Sequence, residues 1–206
     1  MKQIRIACIG GMLVGSALHA QTYLPRLELS PGFNLVRLSP GPDMERTALP
    51  GWNMSATIFP TSRLGFTAEI GGARSTRSIS DALIPDSRVR LNQTTFLAGP
   101  AVRLFRRDRF NSTFRAMFGV ARGRSEFPSD EVPAGIISGQ GPSSVGIFGD
   151  ETVFASAIGS MWDIKLTDTI AWRIAPSFLF TRFGGETQIT QRFSTGIVLR
   201  FGRVSK

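Results

Sequence analysis

Apolar side chains recur at every second position in eight separate runs of this chain, and that period belongs to β-strands whose two faces differ chemically. The first run holds Leu27, Leu29, Phe33 and Leu35, the second Trp52, Met54, Ala56 and Ile58, and the third Leu64, Phe66, Ala68 and Ile70. The fourth holds Phe96, Ala98, Val102 and Leu104, and the fifth Phe114, Ala116, Phe118 and Val120. The sixth, Phe154, Ile158, Trp162 and Ile164, is diluted by Ser156 and Ser160. The last two are Ile170, Trp172, Ile174, Phe178 and Phe180, then Phe193, Ile197, Leu199 and Phe201. No segment after residue 20 carries a helical stripe.

The alternate positions carry Gly, Ala, Ser and Thr with a scatter of charge: Glu28, Glu69, Arg103, Arg115, Asp163, Lys165, Arg173, Arg192 and Arg200. None of these charges falls within the apolar sets. A soluble sandwich or lipocalin-like barrel would turn the aromatic face inward. A membrane barrel would turn it out to lipid and fill a narrow interior with small residues and paired charges. A charge on the lipid-facing midplane costs about 2–4 kcal/mol, so a charge-free outer face is what the second architecture requires.

The connections separate the two. Gaps alternate between long (Ser39 to Pro50, Arg74 to Gln93, Gly123 to Thr152) and short (Pro60 to Arg63, Arg106 to Asn111, Leu166 to Thr169), with an intermediate last gap at Arg182 to Ile189. Short periplasmic turns and longer external loops mark outer-membrane barrels. The fold expected is therefore all-β: an eight-stranded antiparallel up-and-down transmembrane β-barrel with both termini in the periplasm. Trp52, Phe105, Phe110, Trp162, Trp172 and Phe201, toward the strand ends, suit interfacial girdles. Pro31, Pro100 and Pro176 sit inside strands, where each removes a ladder donor, and are expected to mark bulges or local breaks.

Residues 1–20 read as an export signal. Lys2 and Arg5 precede a largely apolar stretch from Ile6 to Leu18, and small residues lead to Ala20. The barrel domain is then 21–206. Cys8 and His19, the chain's only cysteine and histidine, both lie in the signal. The mature chain is left without a disulfide, a histidine base, a cysteine nucleophile or a His/Cys metal site. Losing Lys2 and Arg5 lowers the formal charge from +9 to +7, and nearly all of the positive charge is arginine, spread singly. That spacing, in an exported chain, argues against a nucleic-acid partner despite a pI near 11.3.

The run RFSTGIVLRF from Arg192 to Phe201 is an alternating last strand ending in an aromatic, and GWNMSATIFP, FRAMFGVARG and MWDIKLTDTIAWR are further strand and turn units. On these segments the chain resembles the small single-domain outer-membrane β-barrel proteins of the OmpA-transmembrane-domain and OmpX type. The resemblance covers most of residues 24 to 201. It implies an outer-membrane location and a last strand read by the barrel-insertion machinery. Here that strand continues through Gly202 to Lys206, so its aromatic is not terminal. The family has no shared catalytic motif to carry over.

Glu69, Asp163 and Glu28 are expected to pair with Arg103, Arg115, Arg173, Arg192 or Arg200 inside the barrel, because unpaired buried charge is very costly. With Lys165 the set is six basic groups against three acidic, so any passage would favour anions. Outside, the gap from Gly123 to Thr152 sets Arg124 against Glu126, Asp130, Glu131, Asp150 and Glu151. Arg74, Arg77, Arg88 and Arg90 are placed to contact lipopolysaccharide phosphates, or form an ordinary solvated loop. No constellation points to catalysis, a cofactor or a metal. The expected function is a monomeric, non-enzymatic outer-membrane protein, structural or acting through its external loops, in contact with outer-membrane lipid. The alternatives are a small channel or carrier for apolar molecules, and a soluble lipocalin-like binder.

Overall fold

A computed structural model describes residues 25–38, 47–81, 84–126, 150–183 and 187–202. The predicted export signal lies outside the described residues. Eight strands follow one another in the chain: β1 Leu27–Leu38, β2 Thr47–Ile58, β3 Leu64–Asp81, β4 Ile84–Arg106, β5 Phe110–Glu126, β6 Glu151–Lys165, β7 Ile170–Thr181 and β8 Gln188–Phe201. Each pairs antiparallel with the next, and β1 pairs with β8 to close the barrel. The seam runs from Leu27 opposite Phe201 to Arg37 opposite Gln191.

The alternating sets resolve into an outer and an inner wall. Phe33 is 75% exposed, Phe154 65% and Leu64 58%, whereas the intervening Ala101, Ala155, Ala157 and Val198 are 0% exposed. The soluble lipocalin-like alternative is thereby corrected, because it required the aromatic face to point inward. So large and continuous an apolar wall is far beyond what water-soluble monomers expose, and it is the surface that lipid solvates. Trp52 stands toward the rim away from the short turns, opposite Phe33 and Gly72. Phe105, Phe110 and Phe201 stand at the short-turn end, with Trp172 one row above it opposite Ile164 and Ile197.

The wall is taller on one side than the alternation indicates. The stretch from Arg74 to Gln93, expected as a long loop, is a continuation of β3 and β4 that pairs from Arg74 opposite Asn92 to Ile79 opposite Ser87, with a register shift before Asp81. Its sequence sustains no apolar alternation, so the apolar period stops where the lipid stops, while the backbone ladder continues. β4 has 23 residues, about twice the 9–11 that a tilted strand needs to cross a bilayer. β5 extends alongside to Glu126, opposite Arg90. Strands β3, β4 and β5 therefore carry a three-stranded ribbon beyond the membrane.

The three strand prolines sit at local breaks. Pairing lapses beside Pro31 between Leu29 and Gly32 on the β8 side, beside Pro100 between Ala98 and Ala101 on the β5 side, and beside Pro176 on the β6 side. In each case the register resumes unshifted. Each proline keeps its pairing with the other neighbour: Met54, Phe66 and Phe193 respectively. The one register shift within the membrane part, between Arg103 and Phe105, turns both Leu104 and Phe105 outward.

Phe118 lies near the middle of the apolar belt, paired with Ala98 and Ser156. Phe118→Arg is expected to lower barrel stability by at least about 2–4 kcal/mol, read from urea unfolding in phospholipid vesicles. An unchanged unfolding midpoint would contradict a lipid-facing β5.

Candidate functional site

Strict alternation places Glu28, Glu69, Arg103, Arg115, Asp163, Arg173, Arg192 and Arg200 on the inner wall, and all of them are buried. They gather into two clusters. Toward the short-turn end, the Arg103 Nη2 donates to Glu28 Oε1 at 3.0 Å and the Arg173 Nη2 to Glu28 Oε2 at 2.6 Å. Arg173 also grips Asp163 with both nitrogens of its fork, Nε to Oδ1 at 2.7 Å and Nη2 to Oδ2 at 2.9 Å, while Arg200 Nη2 reaches Asp163 Oδ2 at 3.3 Å. Farther up, Arg115 Nη1 donates to Glu69 Oε2 at 2.6 Å. Arg192 Nη2 lies 2.7 Å from Glu69 Oε1, an ion pair outside hydrogen-bond geometry.

One of these pairs follows from register, since Asp163 stands opposite Arg173. The others join strands two or three apart around the barrel: β8 to β6, β7 to β1, β5 to β3, β4 to β1 and β8 to β3. Closing the sheet at eight strands brings opposite walls within reach of an arginine, and the interior becomes a packed core instead of a bore. Lys165 stands apart from this group. It lies at the end of β6, with a side chain 31% exposed, and pairs with Asp168 in the following turn.

Two further features of the lumen escape the alternation. Phe59, just past β2, folds inward with 0% exposure beneath Arg103, whose guanidinium lies 3.5 Å from the ring centroid. Arg103 also donates to the Pro25 carbonyl at 3.1 Å, so Pro25, Phe59 and Arg103 close the short-turn end. Gly65 makes the room: a Cβ there would lie 2.6 Å from the Phe59 ring. At the opposite end the lumen is apolar, filled by Leu97, Met117, Leu179 and Phe183 with the small Ala121 and Ala155, and by Val36, Leu49 and Ala73. Leu97, Met117 and Leu179 occupy inward positions, but in the sequence they look like members of the outer set.

Outside, register aligns arginines into rows. Arg74 opposes Asn92, which opposes Arg124; Arg90 opposes Thr76 and Glu126; Arg122 opposes Thr94. These positions share the outer face with the row Ile70, Phe96, Val120 and Phe154, the top of the lipid belt. Two residues advance about 6.8 Å along a strand tilted by about 40°, so the first arginine, Arg122, stands about 5 Å above that row, at the height of the headgroups. Arg122 is bidentate with Asp150, Nε to Oδ1 at 2.9 Å and Nη2 to Oδ2 at 2.7 Å, and these bonds hold the Asp150 carboxyl below the usual aspartate range. Glu151 belongs to β6. The side chains of Arg77, Arg88 and Glu126, and Asp130 and Glu131 altogether, lie outside the described residues.

Removing Glu69 leaves Arg115 and Arg192 without their shared carboxylate. Glu69→Ala is expected to cost about 3–5 kcal/mol, measured as the loss of the compact, fast-migrating form on unboiled gels at lower urea. A shift within about 0.5 kcal/mol, typical of surface sites, would show that the pair does not hold the barrel.

No family model matches the sequence, and no curated protein matches it. Solved structures do match the fold. Ail, the attachment invasion locus protein of Yersinia pestis, is 13% identical with a TM-score of 0.56, covering 85% of this chain and 97% of its own. Neisserial surface protein A is 9% identical with a TM-score of 0.57, covering 85% and 96%. OprG of Pseudomonas aeruginosa is 12% identical with a TM-score of 0.53, covering 87% and 97%. With its closed eight-stranded ladder, apolar outer wall and ion-paired interior, the chain has the fold of the small outer-membrane β-barrels.

Proposed function

We propose that this protein is a non-enzymatic, monomeric outer-membrane barrel that acts through its external ribbon, and that the ribbon's arginines bind the phosphates of lipopolysaccharide. The observation that carries this reading is the placement of Arg74, Arg90 and Arg124 on adjacent strands above the lipid belt, over Arg122, whose fork Asp150 holds. Phosphate groups of the outer leaflet lie at that height, and arginine binds them with two parallel N–H bonds. A loop arginine would hold no fixed height, whereas these are set on a hydrogen-bonded ladder. Ail, of the same fold, was solved in complex with the heparin analogue sucrose octasulfate, a polyanion. In this reading residues 1–20 direct export, and the last strand, Arg192 to Phe201, is handed to the barrel-insertion machinery.

The alternative as a carrier of apolar molecules draws on the apolar upper lumen, Leu97, Met117, Leu179 and Phe183. Those side chains pack against each other there, and Phe59 with Arg103 stops the other end, so the interaction role is preferred. The same plug weighs against a channel.

Arginine near an anionic surface contributes about 1 kcal/mol, so removing three should weaken binding by about two orders of magnitude. Arg74→Gln/Arg90→Gln/Arg124→Gln is expected to show that loss toward lipopolysaccharide-containing vesicles, with the wild-type affinity falling steeply as salt rises. Equal binding by variant and wild type would contradict the reading.

A further inference from the structure

The two interior clusters are each unbalanced in the same sense. The lower one sets Arg103, Arg173 and Arg200 against Glu28 and Asp163, and the upper one sets Arg115 and Arg192 against Glu69. Each therefore carries one positive charge in excess, in an interior where uncompensated charge is costly. Between them lies a cavity of about 10 Å³, room for one particle of about the size of a water. Its wall is drawn from five strands: Ser30 and Gly32 of β1, Asn53 and Ser55 of β2, Arg115 of β5, Arg173 and Ala175 of β7, and Ser194 to Gly196 of β8. One arginine of each cluster thus faces the same space.

The hydrogen-bonding inventory of that wall is one-sided. Arg115 uses Nη1 on Glu69, while its Nε and Nη2 have no partner among the described residues. Arg173 spends Nε and Nη2 on the carboxylates, and its Nη1 has none. Arg115 is 1% exposed and Arg173 4%, so water outside the barrel cannot serve these donors. The Ser194 hydroxyl is likewise without a partner, and the Asn53 Oδ1 is an unpartnered acceptor on the same wall, an amide whose rotation would present a further donor. Gly32 and Gly196 let β1 and β8 approach closely on this wall: a Cβ on Gly32 would meet the Thr195 carbonyl at 2.5 Å and Asn53 Oδ1 at 3.1 Å, and one on Gly196 would meet the Pro31 carbonyl at 2.2 Å.

We propose that this cavity is a monatomic anion site, occupied by a halide that Arg115 and Arg173 share. Such an ion accepts the stranded guanidinium hydrogens and offsets the excess charge of both clusters at once. A water molecule would accept two of those hydrogens, but would leave both excess charges standing. Oxyanions such as phosphate and sulfate are larger still than a halide, which itself needs the wall to yield slightly beyond the size of a water. The ion is a structural part of the barrel, independent of the phosphate contacts on the ribbon outside.

The test uses the full mature chain folded in detergent. Its thermal unfolding is followed by gel mobility, with sodium bromide exchanged for sodium gluconate at constant ionic strength. A saturable upward shift in Tm with bromide is expected, together with an anomalous bromine peak between Arg115 and Arg173 in crystals grown with bromide. Asn53→Asp places a tethered carboxylate on the cavity wall. It is expected to fold without halide, to lose the bromide-dependent shift and to lose the peak. A wild-type crystal with water and no anomalous peak at that position would overturn the site. So would a bromide response of equal size in wild type and Asn53→Asp, since it would arise elsewhere. The wild-type peak decides the matter even if the variant does not fold.

Discussion

In hydrocarbon a backbone N–H or C=O without a partner costs several kcal/mol, so a sheet can enter lipid only if it leaves no edge. The pairing of β1 with β8 meets that condition, and most of what is distinctive in the molecule follows from it. Closure at eight strands fixes a lumen about one side-chain layer wide. It sends every second residue to lipid and its neighbour to the lumen, which decides what each strand may carry. The prolines show the tolerance of this rule. Pro31, Pro100 and Pro176 each break one ladder for a residue or two, and each stays paired on the opposite side with its register intact.

A narrow lumen could have been filled with apolar side chains throughout, and a buried ion pair is by itself weak ground for stability. Here the filling is divided. The short-turn half is ionic, stoppered by Phe59 under Arg103, while the ribbon half is apolar around Leu97, Met117 and Leu179. The ionic half joins strands far apart in sequence: Glu28 binds Arg103 and Arg173, 75 and 145 residues away. A shift of β4 or β7 by one residue would turn its arginine out into lipid, so the pairs specify register as well as fill space. Above the membrane the constraint relaxes. The ladder there can display charge outward at a height set by the strands.

Much of this was legible in the residues. Strand phase assigned nine charges to the interior, because alternation leaves each of them only one wall to occupy, and eight of the nine are buried. Which carboxylate meets which arginine was not legible, since cross-lumen pairs depend on the closed geometry and not on sequence spacing. Lys165 has the right phase but sits at the last position of β6, where the wall ends and the turn's Asp168 is nearer than the lumen. The ribbon from Arg74 to Gln93 gives no strand signal in the sequence, because its few apolar residues do not recur at every second position. The apolar upper lumen was hidden for the opposite reason: in β4, β5 and β7, Leu97, Met117 and Leu179 match the lipid-facing set beside them. Phe59 was missed because it lies one step beyond the run that gives β2 its phase.

The claim on which everything else rests is that the aromatic wall faces lipid. The chain's three tryptophans, Trp52, Trp162 and Trp172, all lie on that wall, with 51%, 42% and 42% exposure, so their fluorescence reports on it directly. The most direct measurement is quenching by phospholipids brominated along the acyl chain, with the folded protein reconstituted in vesicles. Strong quenching of the tryptophan emission, with little effect from a water-soluble quencher, is the result expected. Emission untouched by the brominated chains would place the aromatic wall away from lipid and contradict the barrel's orientation of faces.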